Sequence, residues 1–116
     1  MPRKRQKTEL MQGTLDLLIL RTLRSGAMHG YAIAEQIQQT STGALHVEEG
    51  SLYPALHRME RRGWIEAEWG LSQTKRKAKY YRLTNSGRAQ LKVKMKTWQA
   101  FVGAIASVLG AQSSEA

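Results

Sequence analysis

Between Glu48 and Trp64 the chain carries Ser51, Tyr53, Pro54, His57, Arg58 and Arg61, interleaved with Leu52, Leu56 and Met59. Hydroxyl, imidazole and guanidinium groups at such spacing can read nucleic acid. An arginine matches guanine O6 and N7, a serine suits several bases, and an imidazole donates to a purine N7, a phosphate or a water. A helix over 51–62 sorts these residues into two faces. Leu52, Leu56 and Met59 recur at i, i+4 and i+7 as one apolar stripe. Pro54, His57, Arg58 and Arg61 fall on the opposite side, with Ser51 and Tyr53 at its edges. Pro54 lies in the first turn, where its missing N–H has no partner to lose. Gly63 then suits a left-handed C-cap. A cationic outer face over a core stripe fits insertion into a DNA major groove. An ordinary surface helix with a solvated basic face has the same pattern.

Other chemistries find less support. His29, His46 and His57 lie in separate segments, and the chain has no cysteine. Neither a metal site nor a disulfide framework is expected. His57 and Glu60 have the i, i+3 spacing of di-iron bundles, but the other carboxylate helices are missing. No glycine-rich phosphate loop or nucleophile elbow appears, so no cofactor and no enzymatic activity are expected.

The 116 residues suit one domain, and 18 Lys+Arg against 9 Asp+Glu leave a net charge of +9 with a pI near 10.3. That excess calls for a polyanionic partner: DNA, RNA or an acidic membrane surface. The run Leu17 to Leu20 stops at Arg21 with no signal-peptide cleavage site after it. The apolar tail Ala100 to Ala111 falls short of the ~20 residues a membrane span needs. A cytoplasmic protein without a membrane partner is the simplest outcome.

The elements that would hold the reading helix follow from periodicity. Residues 1–7 read as a disordered basic arm, and 8–84 as a winged helix-turn-helix. A first helix from Glu9 to about Arg24, capped by Thr8, is apolar on more than one face; such a helix lies deep inside a domain or meets a second subunit, and in so small a domain the second is expected. A second, from Met28 to between Thr40 and Gly43, carries Ile33 and Ile37 four apart. Its N-terminal N–H groups and Tyr31 are placed to meet a phosphate. After Gly63 the period drops to two: Ile65, Ala67 and Trp69 predict a half-buried strand, and Lys79 to Leu83 a second. Between them, 70–78 forms a basic tip. Lys75, Arg76 and Lys77, with Lys79 behind them, suit a wing that meets the sugar-phosphate rail or a minor groove. A hairpin loop that is merely polar is the alternative. A last helix, 85–111, carries Leu91, Met95, Trp98, Val102, Ile105 and Leu109 at spacings of 4, 3, 4, 3 and 4. That heptad seam predicts a two-fold dimer. Residues 112–116 are a tail. The fold class is therefore mainly α with a small β-hairpin wing and a C-terminal dimerisation helix.

Several segments resemble the PadR-type transcriptional regulators, a bacterial family of winged helix-turn-helix repressors. They are Leu17 to Leu20, His29 to Ile33, Gly50 to Glu60, Gly63 to Ile65 and Lys79 to Gly87, in family order over about residues 10–91. The run Gly50-Ser51-Leu52-Tyr53-Pro54-Ala55-Leu56 followed by Tyr80-Tyr81-Arg82-Leu83-Thr84 is far more specific than a helix-turn-helix pattern alone. The resemblance implies DNA binding by a dimer joined through the terminal helices, and repression. It implies DNA contacts at Tyr31, Ser51, Tyr53, Pro54, His57, Arg58 and 75–77. The single helix after the wing matches the family's short form. PadR-like regulators sometimes hold flat aromatic ligands between subunits, which makes Trp98 a possible effector contact.

Two recognition helices of such a dimer would bind half-sites about 34 Å apart, on a near-palindromic operator in double-stranded DNA. Arg58→Ala is expected to relax one base position per half-site. The competing functions are a non-specific coat on RNA or DNA, and a protein-interaction module whose wing meets an acidic partner.

Overall fold

The structure, a computed structural model, describes residues 2–110, with side chains from residue 13 onward. The first helix, α1, is Pro2–Leu23, and tight turn bonds from Arg24, Ser25 and Gly26 to the carbonyls of Arg21, Thr22 and Leu23 close it. Its backbone is helical from Pro2, where a disordered arm was expected. Proline is favoured at the first helical position, and Arg, Lys and Gln are good helix formers, so propensity does not stop the helix at Thr8. The expected tail 112–116 lies outside the described residues.

A two-residue strand, β1 (Met28–His29), precedes α2 (Gly30–Thr40). It occupies the start of the second helix as expected from sequence, and two residues are too few for any periodic signal. His29 caps α2, its Nδ1 accepting from the Ala32 N–H at 3.2 Å. The third helix, α3, is Glu49–Arg61 and begins two residues earlier than the expected start at Ser51. Gly63 (φ +77°) ends it: its N–H bonds to the Glu60 carbonyl and the Trp64 N–H to that of Met59, both at 3.0 Å. This pairing satisfies two carbonyls that the helix end leaves open.

β2 (Ile65–Leu71) and β3 (Lys77–Leu83) pair antiparallel from Ile65↔Leu83 to Leu71↔Lys77, and β1 adds to the other edge of β3. The hairpin tip is thus 72–76, narrower than the expected 70–78. Inward alternation fades along β2: Ile65 is buried and Ala67 partly so, but Trp69 is 64% exposed. The strand has left the core by then, and the expected half-buried face has nothing to lie on.

α4 (Asn85–Leu109) starts at Thr84, whose Oγ1 accepts from the Gly87 N–H at 3.0 Å and donates to the Gly63 carbonyl at 2.6 Å. A Cβ on Gly87 would run into the Trp64 carbonyl oxygen, so α4 leaves the wing at a position only glycine can fill. Gly110 (φ +74°) closes the helix in the left-handed region.

The core joins Ile19, Leu20 and Leu23 of α1 to Ile33 and Ile37, to Leu52, Leu56 and Met59, and to Ile65, Leu83 and Leu91. α1 packs on α2, α3, α4 and β3, and Leu15, Leu17 and Leu18 lie against the same core. The described apolar residues of α1 thus meet elements of its own domain, with Leu15, Leu17 and Leu18 partly exposed; Leu10 and Met11, on which the expected contact with a second subunit also rested, lie outside the residues whose side chains are described. The C-terminal seam is likewise divided. Leu91 is 3% exposed and Met95 packs on the core, whereas Trp98 (42%), Val102 (44%), Ile105 (41%) and Leu109 (75%) are open.

Candidate nucleic-acid interface

With Leu52, Leu56 and Met59 sealed into the core, helical geometry leaves Ser51, Tyr53, Pro54, His57 and Arg61 exposed on α3. Tyr31, 64% exposed, stands beside them in the first turn of α2. The two helices approach closely here: a Cβ on Gly30 would lie 2.8 Å from Cε1 of Tyr53. Gly30 therefore lets the Tyr53 ring lie against α2, which holds one edge of the outer face in place. The Ala32 N–H, one of the donors expected to meet a phosphate, is already taken by His29.

Two residues expected to contact DNA hold ion pairs within the domain. Arg58 Nη2 donates to Oδ1 of Asp16 at 2.8 Å; the Asp16 side chain is 8% exposed and that of Arg58 25%. Leaving Asp16 alone would cost about 3 kcal/mol, the low end for a buried pair because Arg58 is partly open to water. A bidentate guanine contact is worth about 1–3 kcal/mol of discrimination against the wrong base. To read a base, as the sequence expects of it, Arg58 has to give up or share this ion pair. Lys79 is also engaged, its Nζ 3.3 Å from Glu60 Oε1 and 5.7 Å from the Tyr81 ring centre. Burial raises the Tyr81 phenol above its ordinary pKa; Lys79 opposes this, and Glu60 and Tyr53 add to it.

The wing tip keeps its charge for a partner. Lys75, Arg76 and Lys77 are exposed, and none joins an ion pair among the described residues. The tip is shaped by Ser72, whose carbonyl accepts from the Lys75 N–H and whose Oγ accepts from the Arg76 N–H. Lys75 itself takes φ +63°, an uncommon left-handed conformation for a side-chain-bearing residue. Behind the tip, Arg82 is held by Glu66 at 3.0 Å and Glu68 at 3.3 Å, and its pKa is raised chiefly by the hydrogen bond to Glu66.

Between α2 and the start of α3 lies a cleft of about 400 Å³ lined by Tyr31, Glu35, His46, Glu48, Glu49 and Tyr53, among others. Glu49 suits the positive end of the α3 dipole, but the three carboxylates repel phosphate. A polyanion across this face is therefore pushed from the N-terminal end of α3 and drawn to the wing. Among the described residues no three His, Asp or Glu side chains gather into a metal site.

Sequence reasoning missed Asp16, whose run of leucines reads as plain core, and the Trp64 joint. The Trp64 ring carries the Arg62 guanidinium and the Lys94 ammonium, each 5.1 Å from its centre, and so ties the end of α3 to α4. Neither contact has a local signature; only Arg62 and Trp64 are near in sequence.

A helix-turn-helix with an exposed polar face, a three-stranded sheet and a basic hairpin tip define a winged helix-turn-helix protein. Residues 19–93 match the transcriptional regulator PadR-like family, and the chain belongs to that family. It is 33% identical over 92 residues to an uncharacterized protein of Lysinibacillus sphaericus, covering 79% of this chain and 84% of that one. A transcriptional regulator from Clostridium thermocellum superposes with a TM-score of 0.77 at 30% identity, over 85% of this chain and 96% of that chain. A PadR family transcription regulator from Clostridium difficile R20291 gives 0.71 at 32% identity, over 83% and 98%. One from Eggerthella lenta gives 0.73 at 29% identity, over 91% and 90%. These structures are of transcriptional regulators, not enzymes, and regulation through DNA binding is the activity that family membership carries. No described helix is long and apolar enough to cross a membrane.

Proposed function

We propose that the protein is a homodimeric, sequence-specific repressor of a near-palindromic operator, released by a flat aromatic effector. One observation carries the specific-binding part. The apolar side of α3 is sealed while Ser51, Pro54, His57 and Arg61 remain in solvent, and at the wing Lys75, Arg76 and Lys77 join no ion pair among the described residues. Tip cations supply affinity through phosphates without choosing sequence; base choice falls to the α3 face. Tyr31 and Tyr53 border that face and position it. Arg58 and Lys79 support it from their ion pairs.

The dimer is supported by the open strip Trp98, Val102, Ile105 and Leu109, which Leu91 and Met95 continue into the core. Burying that strip against a second copy removes apolar surface from water. Trp98 and Phe101, 5.9 Å apart and tilted by 44°, offer an effector an aromatic surface beside the two-fold axis.

Selection of bound sequences from random DNA tests the proposal, with stoichiometry measured on the winning duplex. Two protomers on a two-fold symmetric consensus are expected, preferred over unrelated DNA by about a thousandfold or more. One protomer per duplex overturns the dimer. Equal binding of all duplexes establishes the non-specific coat instead. A reporter placed behind the selected site reads the sign of regulation, and activation there would replace repression.

A further inference from the structure

Asp16 is the buried charged residue of the described core, six per cent exposed as a whole residue. It stands on α1 one turn before Ile19 and Leu20, which are fully buried. Among the described residues its carboxylate meets one cation, Arg58, from the middle of α3. His57 precedes that residue and Arg61 follows one turn later, so the pair grips α3 directly behind its outer face. Apolar burial is non-directional and fixes the roll of a helix only through the fit of its side chains. A short charge-assisted hydrogen bond is directional. Neither charge can let go without leaving Asp16 unpaired among leucines and isoleucines. α1 also packs on α4, so the helix that anchors α3 is one that the C-terminal helix touches.

We propose that Asp16 and Arg58 are a positioning pair: they set the roll and height of α3 on α1, and Arg58 governs DNA reading through Asp16 without touching a base. The proposal rests on the reading of α3 as the recognition helix. It makes Asp16, a core residue on another helix, a determinant of specificity.

The experiment uses the full chain, well below its melting temperature, with the selected duplex and an unrelated duplex of equal length. Wild type, Asp16→Asn, Arg58→Ala, the double variant and Arg58→Lys are each titrated over a salt series. Asp16→Asn and Arg58→Ala are each expected to weaken binding to the selected duplex about tenfold, and the double variant no further, because the two residues act as one unit. Binding to the unrelated duplex and the salt slope stay unchanged, which a loss of folded protein could not produce. Arg58→Lys retains the preference, since an ammonium can still reach Asp16 but cannot bind guanine bidentately.

Three results overturn the proposal: Asp16→Asn leaves the preference intact, Arg58→Ala lowers the salt slope by about one, or Arg58→Lys loses discrimination at a single base pair. If Asp16→Asn does not fold, Arg58→Lys decides alone. A wild-type protein without preference overturns the regulator reading and the proposal together; a wild-type preference that survives Asp16→Asn overturns only the pair.

Discussion

On α3, Leu52, Leu56 and Met59 form a stripe that α1, α2 and β2 close off; on the outer half of α4, Trp98, Val102, Ile105 and Leu109 form a stripe that stays largely exposed among the described residues. The two are alike in spacing and composition. The difference is reach. α3 is flanked by elements on both sides in sequence, so short connections fold it onto them. α4 has 25 residues and is about 38 Å long. It leaves the core after Met95, and its remaining turns run past the domain that carries it. An amphipathic stripe states that a helix needs cover, and its position relative to the other elements decides whether that cover is its own chain.

The largest expected break in that contrast is Gly87→Ala, at the joint between covered and open parts. The added methyl meets the Trp64 carbonyl and Leu83, so a loss of about 4 kcal/mol or more, or failure to fold, is expected in urea denaturation. Next, the two stripes should respond in opposite currencies. Leu56→Ala removes a side chain that is 1% exposed and is expected to cost about 3 kcal/mol of folding stability. Ile105→Asp should shift the sedimentation profile toward single chains, while far-ultraviolet dichroism of the isolated chain keeps its helical signal. Equal effects of both changes on both measurements would erase the distinction between the stripes.

The same contrast divides the charges. Lys75 and Lys77 are open, so replacing either with Ala is expected to reduce the salt slope of DNA binding by about one without altering sequence preference. Arg58, engaged with Asp16, should behave oppositely. The smallest effect is at Tyr81, on the covered side. Its folded pKa lies above 10.0, raised first by burial, so the unfolded chain loses its proton first as pH rises. Stability from this group is therefore complete below about pH 10 and lost as pH climbs through the folded value. Tyr81→Phe should flatten that alkaline decline in urea midpoints measured from about pH 9 to pH 11.

Much of the fold was legible because its signals are local. Ile33 and Ile37, the stripe on α3 and the alternation at the base of β2 each lie within one or two turns of chain. Gly63 announced the end of α3 because the left-handed conformation favours a residue without Cβ. The illegible parts involve long separations or very short elements. β1 is defined by its partner β3, and Trp69 lost its burial because the core ends before the wing does.

For this chain the amino-acid sequence by itself determined the longer helices and the two strands of the wing, which face of α3 turns inward, and the cationic character of the wing. Periodicity and capping act within a few residues and need no partner. Only the tertiary structure decided which cation stays free. Arg58 and Arg61 stand one turn apart on the same helix, yet one is bound to a carboxylate 42 positions upstream and the other faces water. Electrostatic energy depends on distance in space, and folding had to bring Asp16 within hydrogen-bonding range before their roles could differ.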